Sequence, residues 1–351
     1  MLVERPNGVS EPDTSEGRTI KYVRNVPRLA SLLMPSRELS VIALPTAVFV
    51  VLLSFANPSF LSSYNLNSVL ASVAVIALVG LSQVVLFAIG QFNLAVAGMG
   101  AASGMMLGWL LQVVGLPIPL AVAAALCTAA GFGFLQGALI SRTNLNPFIV
   151  TLGLASVLTG VVAFLTHGHS FDHLPPLNGQ IGNATIGPVP VILVASLAVC
   201  ALVAILLHGT VYGRELLATG ANPRAAVSTG IPTGRVVLLA HVLSGVLVGI
   251  AAVLTVARLA TAPVALGEDW LLPSFAVPVL GGSLIQGGRV SVSGAVMGAT
   301  FLAVIANGLL LVGVSQYWYQ TGTGIVILVA VMSGRIRVPA VRRPSIMARP
   351  S

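Results

Sequence analysis

Between Leu39 and Tyr212 the chain carries only two charged side chains, Arg142 and Asp172. A water-soluble fold has to cover its surface with polar groups, and so long a stretch with two charges cannot do that. Its solvent must be the bilayer, where backbone polar groups have to be satisfied inside helices or a closed barrel. Apolar runs recur at roughly 40–56, 66–89, 94–114, 118–140, 147–166, 189–207 and 236–257, with a short one near 271–281, then 290–312 and 317–334. Most have the about twenty residues that cross a hydrocarbon core as a helix. The expected fold class is all-α, a polytopic membrane helix bundle of about ten transmembrane helices.

The short run decides parity, because ten crossings put both Arg-rich ends on one side and nine put them on opposite sides. The excess of Arg in cytoplasmic segments favours ten. Arg142, the stretch from Arg214 to Arg235, Arg289 and the end from Arg335 to Arg349 then lie inside, and Arg258 lies outside with Asp172, Glu268 and Asp269. The expected organisation is a disordered cytoplasmic N-terminal tail over 1–38, a transmembrane domain over 39–335 and a cytoplasmic C-terminal tail over 336–351. The tail over 1–38 is polar throughout and does not read as a signal peptide. Topology and anionic lipid account for the formal net charge of +8, so a nucleic-acid partner is unnecessary.

The only long polar island between two large apolar blocks runs from His208 to Arg235. Asn222 can cap a helix whose first residue is Pro223, where a missing N–H does no harm, and Gly230 is placed for a left-handed turn at its end. So short a helix is not stable alone in water and needs a surface to dock on.

Two places at membrane depth do not read as plain helix. One is Gly90-Gln91-Phe92-Asn93, a polar break without charge; the other follows the short run through Pro273, Pro278, Gly281-Gly282 and Gly287-Gly288. Such backbone must be buried in protein or line a wet cavity, and paired interruptions in two halves of a chain point to a transport route. The uncharged amides Gln83, Gln91 and Asn93, with Phe92 beside them, suit a neutral hydroxylated solute in transit. Equally, these amides could serve only to satisfy the broken backbone. Glycines four residues apart, at 100, 104 and 108, 133 and 137, 245 and 249, and 294 and 298, give helices small faces for close packing.

Catalytic and metal patterns are missing. The one lysine, Lys21, stands outside any phosphate-binding loop, so the chain is not itself an ATPase by that route. His167, His169, Asp172 and His173 have zinc-ligand chemistry but flexible spacing, and read better as part of a surface loop over 167–190. Cys127 and Cys200 sit in apolar runs as small core residues, and His208 and His241 as interfacial or packed histidines. The chain is expected to be no enzyme and to hold no cofactor or metal. Want of an ionisable group at mid-membrane also counts against a proton-coupled secondary transporter, the main alternative.

Several motifs together resemble those of the ribose-type permeases of bacterial ABC importers. They are Gly213-Arg214 followed by Ala218, Gly220, Asn222, Pro223, Ala225, Ala226, Gly230 and Ile231; the run Asn146 to Gly153; the turn Gly281-Gly282-Ser283 through Gly287-Gly288-Arg289; and Asn307-Gly308-Leu309. Where that family has an Asp in its first membrane break, this chain has Asn93, with Gln91 added; Pro273 and Pro278 are also extra. The resemblance implies a subunit of the bacterial cytoplasmic (inner) membrane, multi-pass, with both termini cytoplasmic. Its implied partners are two ATP-binding cassette ATPases, a second permease subunit (the same chain or a related one), an extracytoplasmic sugar-binding protein and membrane lipid. The cargo would be a monosaccharide or small polyol, with branched-chain amino acids or nucleosides as alternatives. On this resemblance Gly213, Arg214, Asn222, Pro223, Arg224, Ala225, Ala226 and Gly230 belong to the ATPase-coupling loop over 208–235. The expected substrate pathway comprises Gln83, Gln91, Phe92, Asn93, Gly281, Gly282, Ser283 and Asn307.

Overall fold

Helices α1 (Arg37–Ala56) and α2 (Ser63–Ala88) open the bundle, separated by a 3-10 turn over Pro58–Leu61 that Asn57 and Ser62 cap. The computed structural model describes residues 37–143, 145–174 and 182–313, with Trp318, Thr321, Gly322, Gly324 and Ile325 beyond them. The tails expected over 1–38 and 336–351 and the apolar run at 317–334 lie essentially outside the described residues.

The remaining elements are α3 (Val96–Trp109), continued by a wider π turn over Leu110–Val114, α4 (Ile118–Thr143), α5 (Pro147–Thr166), the two-residue strands β1 (Thr185–Ile186) and β2 (Val189–Pro190), and α6 (Val191–Gly209). After them come α7 (Val211–Ala221), α8 (Pro223–Ser228), α9 (Thr233–Leu259), α10 (Leu271–Leu280) and α11 (Val292–Leu311). Among the described residues seven helices are long and apolar enough to cross a membrane, and α10 and the Ile42–Ala56 stretch are shorter apolar helices. The chain is a multi-pass helical bundle.

α2 is the spine. Eighteen of its 26 residues are buried, and it packs against α7, α9, α10 and α11 as well as α6. Long apolar helices on every side leave it no lipid-facing stripe, which is why its sequence is hydrophobic all round and not amphipathic. By contrast α4, α5 and α6 bury only one face each, turning residues such as Phe134, Leu152, Phe164 and Leu202 outward.

α4 and α9 run antiparallel along a seam of small residues. A Cβ on Gly137 would meet Leu238 at 3.0 Å, and one on Gly249 would meet Ala129 at 2.8 Å. Lipid gives packed helices no hydrophobic drive toward each other, so close backbone approach is what such a seam supplies.

The segment between α5 and α6 forms a small hairpin, with Thr185 paired to Pro190 and Ile186 to Val189. An antiparallel bridge between Phe171 and Ala262 ties the same loop to the segment after α9.

Candidate functional site

The polar island contains two helices where the sequence pointed to one. Thr210 caps α7, accepting from the Gly213 N–H at 3.1 Å, and the chain breaks again at Asn222, whose Oδ1 accepts from the Ala225 N–H at 3.1 Å. Pro223 takes the first position of α8, and Gly230 closes the exit at φ +84° with open space around it. Thr210, a capping residue three positions before Gly213, was the available signal for α7. Of α8, Pro223, Arg224 and Ala225 are exposed and only Ala226 is buried. Arg214 is exposed too, whereas Gly213 is buried against the carbonyls at the end of α6.

The two membrane breaks meet each other beneath this island. Past Ala88 the chain leaves α2 through Gly90, at φ +69°, and past α10 it turns through Gly282, Gly287 and Gly288, all at positive φ. The Gly288 N–H donates to the Ala88 carbonyl at 3.1 Å. Gly220 of α7 lies against both: a Cβ there would drive into the Ala88 carbonyl and come within 2.7 Å of the Gly288 nitrogen. A Cβ on Gly287 would in turn stand 2.7 Å from the Gly220 carbonyl oxygen. Three backbones thus touch directly, with no side chain between them, and only glycine permits that approach.

One turn and more back along α2 from this contact, Gln83 is fully buried and bonded to Asn93, which is fully buried too. Gln83 Nε2 donates to the Asn93 carbonyl at 2.6 Å and Gln83 Oε1 accepts from the Asn93 N–H at 3.0 Å. Gln83 Nε2 also reaches Ser274 Oγ of α10 at 3.3 Å. The Asn93 side chain accepts from the Ala95 N–H at 2.8 Å. In this arrangement the two amides complete the broken backbone. Gln91 is half-buried with Oε1 buried and unpartnered. The Phe92 ring packs edge-on against Phe148 of α5 and Phe275 of α10, at centroid distances of 6.2 and 5.7 Å.

In the second break Ser283 accepts from the Ser291 N–H at 3.1 Å, fixing the start of α11. Gly281 packs on Gly294, so the end of α10 and the start of α11 are in backbone contact. Asn307 lies elsewhere. It forms a reciprocal pair with Asn65, at 2.8 and 2.9 Å, toward the opposite end of α2. The structure therefore brings Gln83, Gln91, Phe92, Asn93 and the Gly281–Ser283 turn into one neighbourhood and leaves Asn307 outside it.

The charges separate by end. Because α4 and α9 are antiparallel, Arg142 at the close of α4 lies at the same end as Arg235 at the opening of α9. The island with Arg214 and Arg224 joins α9 there, and Arg289 follows the turn that touches Gly220. Arg258 sits at the other end, bonded to Ser68 and Ser72 near the start of α2. Asp172 belongs to the loop bridged to Ala262, and Glu268 and Asp269 to the segment before α10. Among the described residues no three His, Cys, Asp or Glu side chains gather as a metal site.

Residues 65–331 match the family described as branched-chain amino acid transport system / permease component. The ribose import permease protein RbsC of Bacillus subtilis is 31% identical over 290 residues, covering 82% of this chain and 90% of that protein. The same-named protein of Escherichia coli K12 is 31% identical over 293 residues, covering 81% and 90%. The L-arabinose ABC transporter permease protein AraH of Azospirillum brasilense is 26% identical over 293 residues, covering 83% of this chain and 86% of that protein.

Proposed function

The chain belongs to the permease component family of branched-chain amino acid transport systems, and on that premise we propose that it is the membrane-spanning subunit of an ATP-driven importer for a monosaccharide or similar small polyol. It is a transport subunit and not an enzyme. The family implies ATPase and substrate-binding partners. The reading that these are two ATPases, a second copy or relative of this chain, and an extracytoplasmic binding protein follows from the resemblance of its motifs. The observation that carries the cargo class is the match to two sugar permeases along 90% and 86% of their length.

The segregation of Arg to one end supports a cytoplasmic island, ten crossings and both termini inside a bacterial inner membrane, with 39–335 as the transmembrane domain. The island then faces the ATPases. α8, six residues long and exposed except at Ala226, is the part available to dock in a groove on another protein. Movement imposed there reaches both membrane breaks through Gly220, because nothing deformable separates α7 from Ala88 and Gly288. Gln91, Phe92 and the Gly281–Ser283 turn lie beside those breaks as the moving part of the route.

The test is uptake by the complete complex in proteoliposomes. A panel of labelled pentoses, hexoses and polyols, with L-leucine included because the family description names branched-chain amino acids, separates the cargo classes. ATP depletion should abolish uptake and an uncoupler should spare it. Uptake that survives ATP depletion and collapses with the uncoupler would make this a secondary transporter.

A further inference from the structure

A cavity of about 230 Å³ opens among α2, α9, α10 and α11, at the end of the bundle remote from the island. Its lining includes Ser72 and Val79 of α2, Thr255 and Arg258 of α9, and Asp269 and Trp270 at the start of α10. The volume is below the roughly 300–1,000 Å³ of pockets for drug-sized ligands, and so suits a single small ring.

Its polar groups are complementary in kind. The half-buried Arg258 guanidinium donates to Ser72 Oγ at 3.3 Å, to the Ser68 carbonyl at 3.3 Å and to Ser68 Oγ at 3.0 Å. Hydroxyls and a carbonyl hold it in place of a carboxylate, and three bonds leave two of its five N–H donors uncommitted. Asp269 stands at the exposed rim and supplies oxygen acceptors. A sugar hydroxyl both donates and accepts, so adjacent hydroxyls can receive from one group while giving to the other. Trp270, 7% exposed and packed through its six-membered ring on Gly100 and Gly267, brings aromatic, apolar atoms to the wall.

We propose that this cavity is a docking subsite within the single chain for one neutral hydroxylated ring, with Arg258 donating, Asp269 accepting and Trp270 contributing apolar wall. The ligand class rests on the importer reading above; the location does not. A zwitterionic amino acid is the competing guest, since a guanidinium and a carboxylate could take its two charges. Desolvation in the mouth, with the like charge of Glu268 behind it, raises the Asp269 carboxyl above its ordinary range. The carboxyl accepts from a hydroxyl in either protonation state, so the choice between the two guests is left to the probes below.

The experiment places a reporter in the wall. Cys127→Ala and Cys200→Ala remove the native thiols, and Thr255→Cys is then labelled with a maleimide in the purified complex in lipid nanodiscs, where both faces are open. A second protein carries Arg142→Cys, exposed at the far end, as a control. Ribose, L-arabinose, glucose, a linear polyol and L-leucine are the probes, and the same complex is assayed for uptake. At least one of ribose, L-arabinose and glucose should slow labelling at Thr255→Cys at least fivefold without affecting Arg142→Cys, and Asp269→Asn should raise the concentration needed at least tenfold. Slowing by L-leucine alone or by the linear polyol alone, equal slowing at both cysteines, or protection unchanged by Asp269→Asn would overturn the proposal. If a panel member is imported but protects nothing, the subsite falls and the importer reading stands. If a sugar protects Thr255→Cys and no panel member is imported, the subsite stands and the importer reading falls.

Discussion

Gln83 holds Asn93 as a neighbouring β-strand would, its one side chain donating to the carbonyl and accepting from the N–H of the same residue. Both residues are fully buried, so the backbone that leaves the helix at the first break has no water to turn to. Non-helical backbone at this depth persists because a side chain imitates the missing strand.

Gln83→Leu removes both bonds and leaves a buried N–H and a buried C=O unmade, each costing about 1–3 kcal/mol. Thermal unfolding of the purified complex should shift down accordingly. Gln91→Leu should behave oppositely: its Oε1 has no partner to lose, so unfolding should be unchanged or slightly higher while uptake falls. Full uptake by Gln91→Leu would remove that residue from the route.

At the junction, Gly220→Ala should cut uptake at least tenfold while the ATPase stays bound, because a single methyl forces α7 away from Ala88 and Gly288. Copurification of the ATPase and solute-stimulated hydrolysis measure the two halves of that statement. Stimulated hydrolysis and uptake at the parental level would show that the contact transmits nothing.

Asn222→Ala removes the cap of α8 and should lower local helix stability by about 0.5–2 kcal/mol. Hydrogen exchange at Ala225 and Ala226 should accelerate, and ATPase retention should drop. Gly230→Val acts through strain at φ +84°, not through a clash, since nothing lies nearby. Arg224→Glu should weaken retention more than either. A triple variant that holds its ATPase and transports normally would move coupling elsewhere.

Single cysteines at Asp172 and Asp269 in a cysteine-free protein should react with an impermeant reagent from outside intact cells, and cysteines at Arg142 and Arg224 should not. Outside labelling at Arg142 would overturn the ten-crossing topology.

Much of the bundle is readable along the chain because periodicity, length and capping are local properties. The α8 cap at Asn222, the turn at Gly230 and the interruptions near Gly90 and Gly281 are each written within a few consecutive residues. What is not local stays hidden. That Gly220, Ala88 and Gly288 touch depends on how three helices close, and no single stretch encodes it. Gln83 reads as an isolated amide in an apolar helix until Asn93 folds back to it, and the same tertiary closure separates Asn307 from the breaks. Arg258 registers in sequence only as a charge on one side of the membrane; its place in a cavity wall depends on α2 and α10 arriving beside it.

Sixteen residues of α2 separate Ser72 at the cavity from Ala88 at the junction, roughly 24 Å of unbroken helix. A rod of that kind, packed on several sides, tilts as a unit more readily than it bends. If its foot is displaced by the island while the helix is held to α10 five residues higher, through Gln83 and Ser274, its head must swing the opposite way. Such a seesaw needs no separate gatekeeper at each face: one angle reports the state of both, and a position in which both ends stand open is not on its arc.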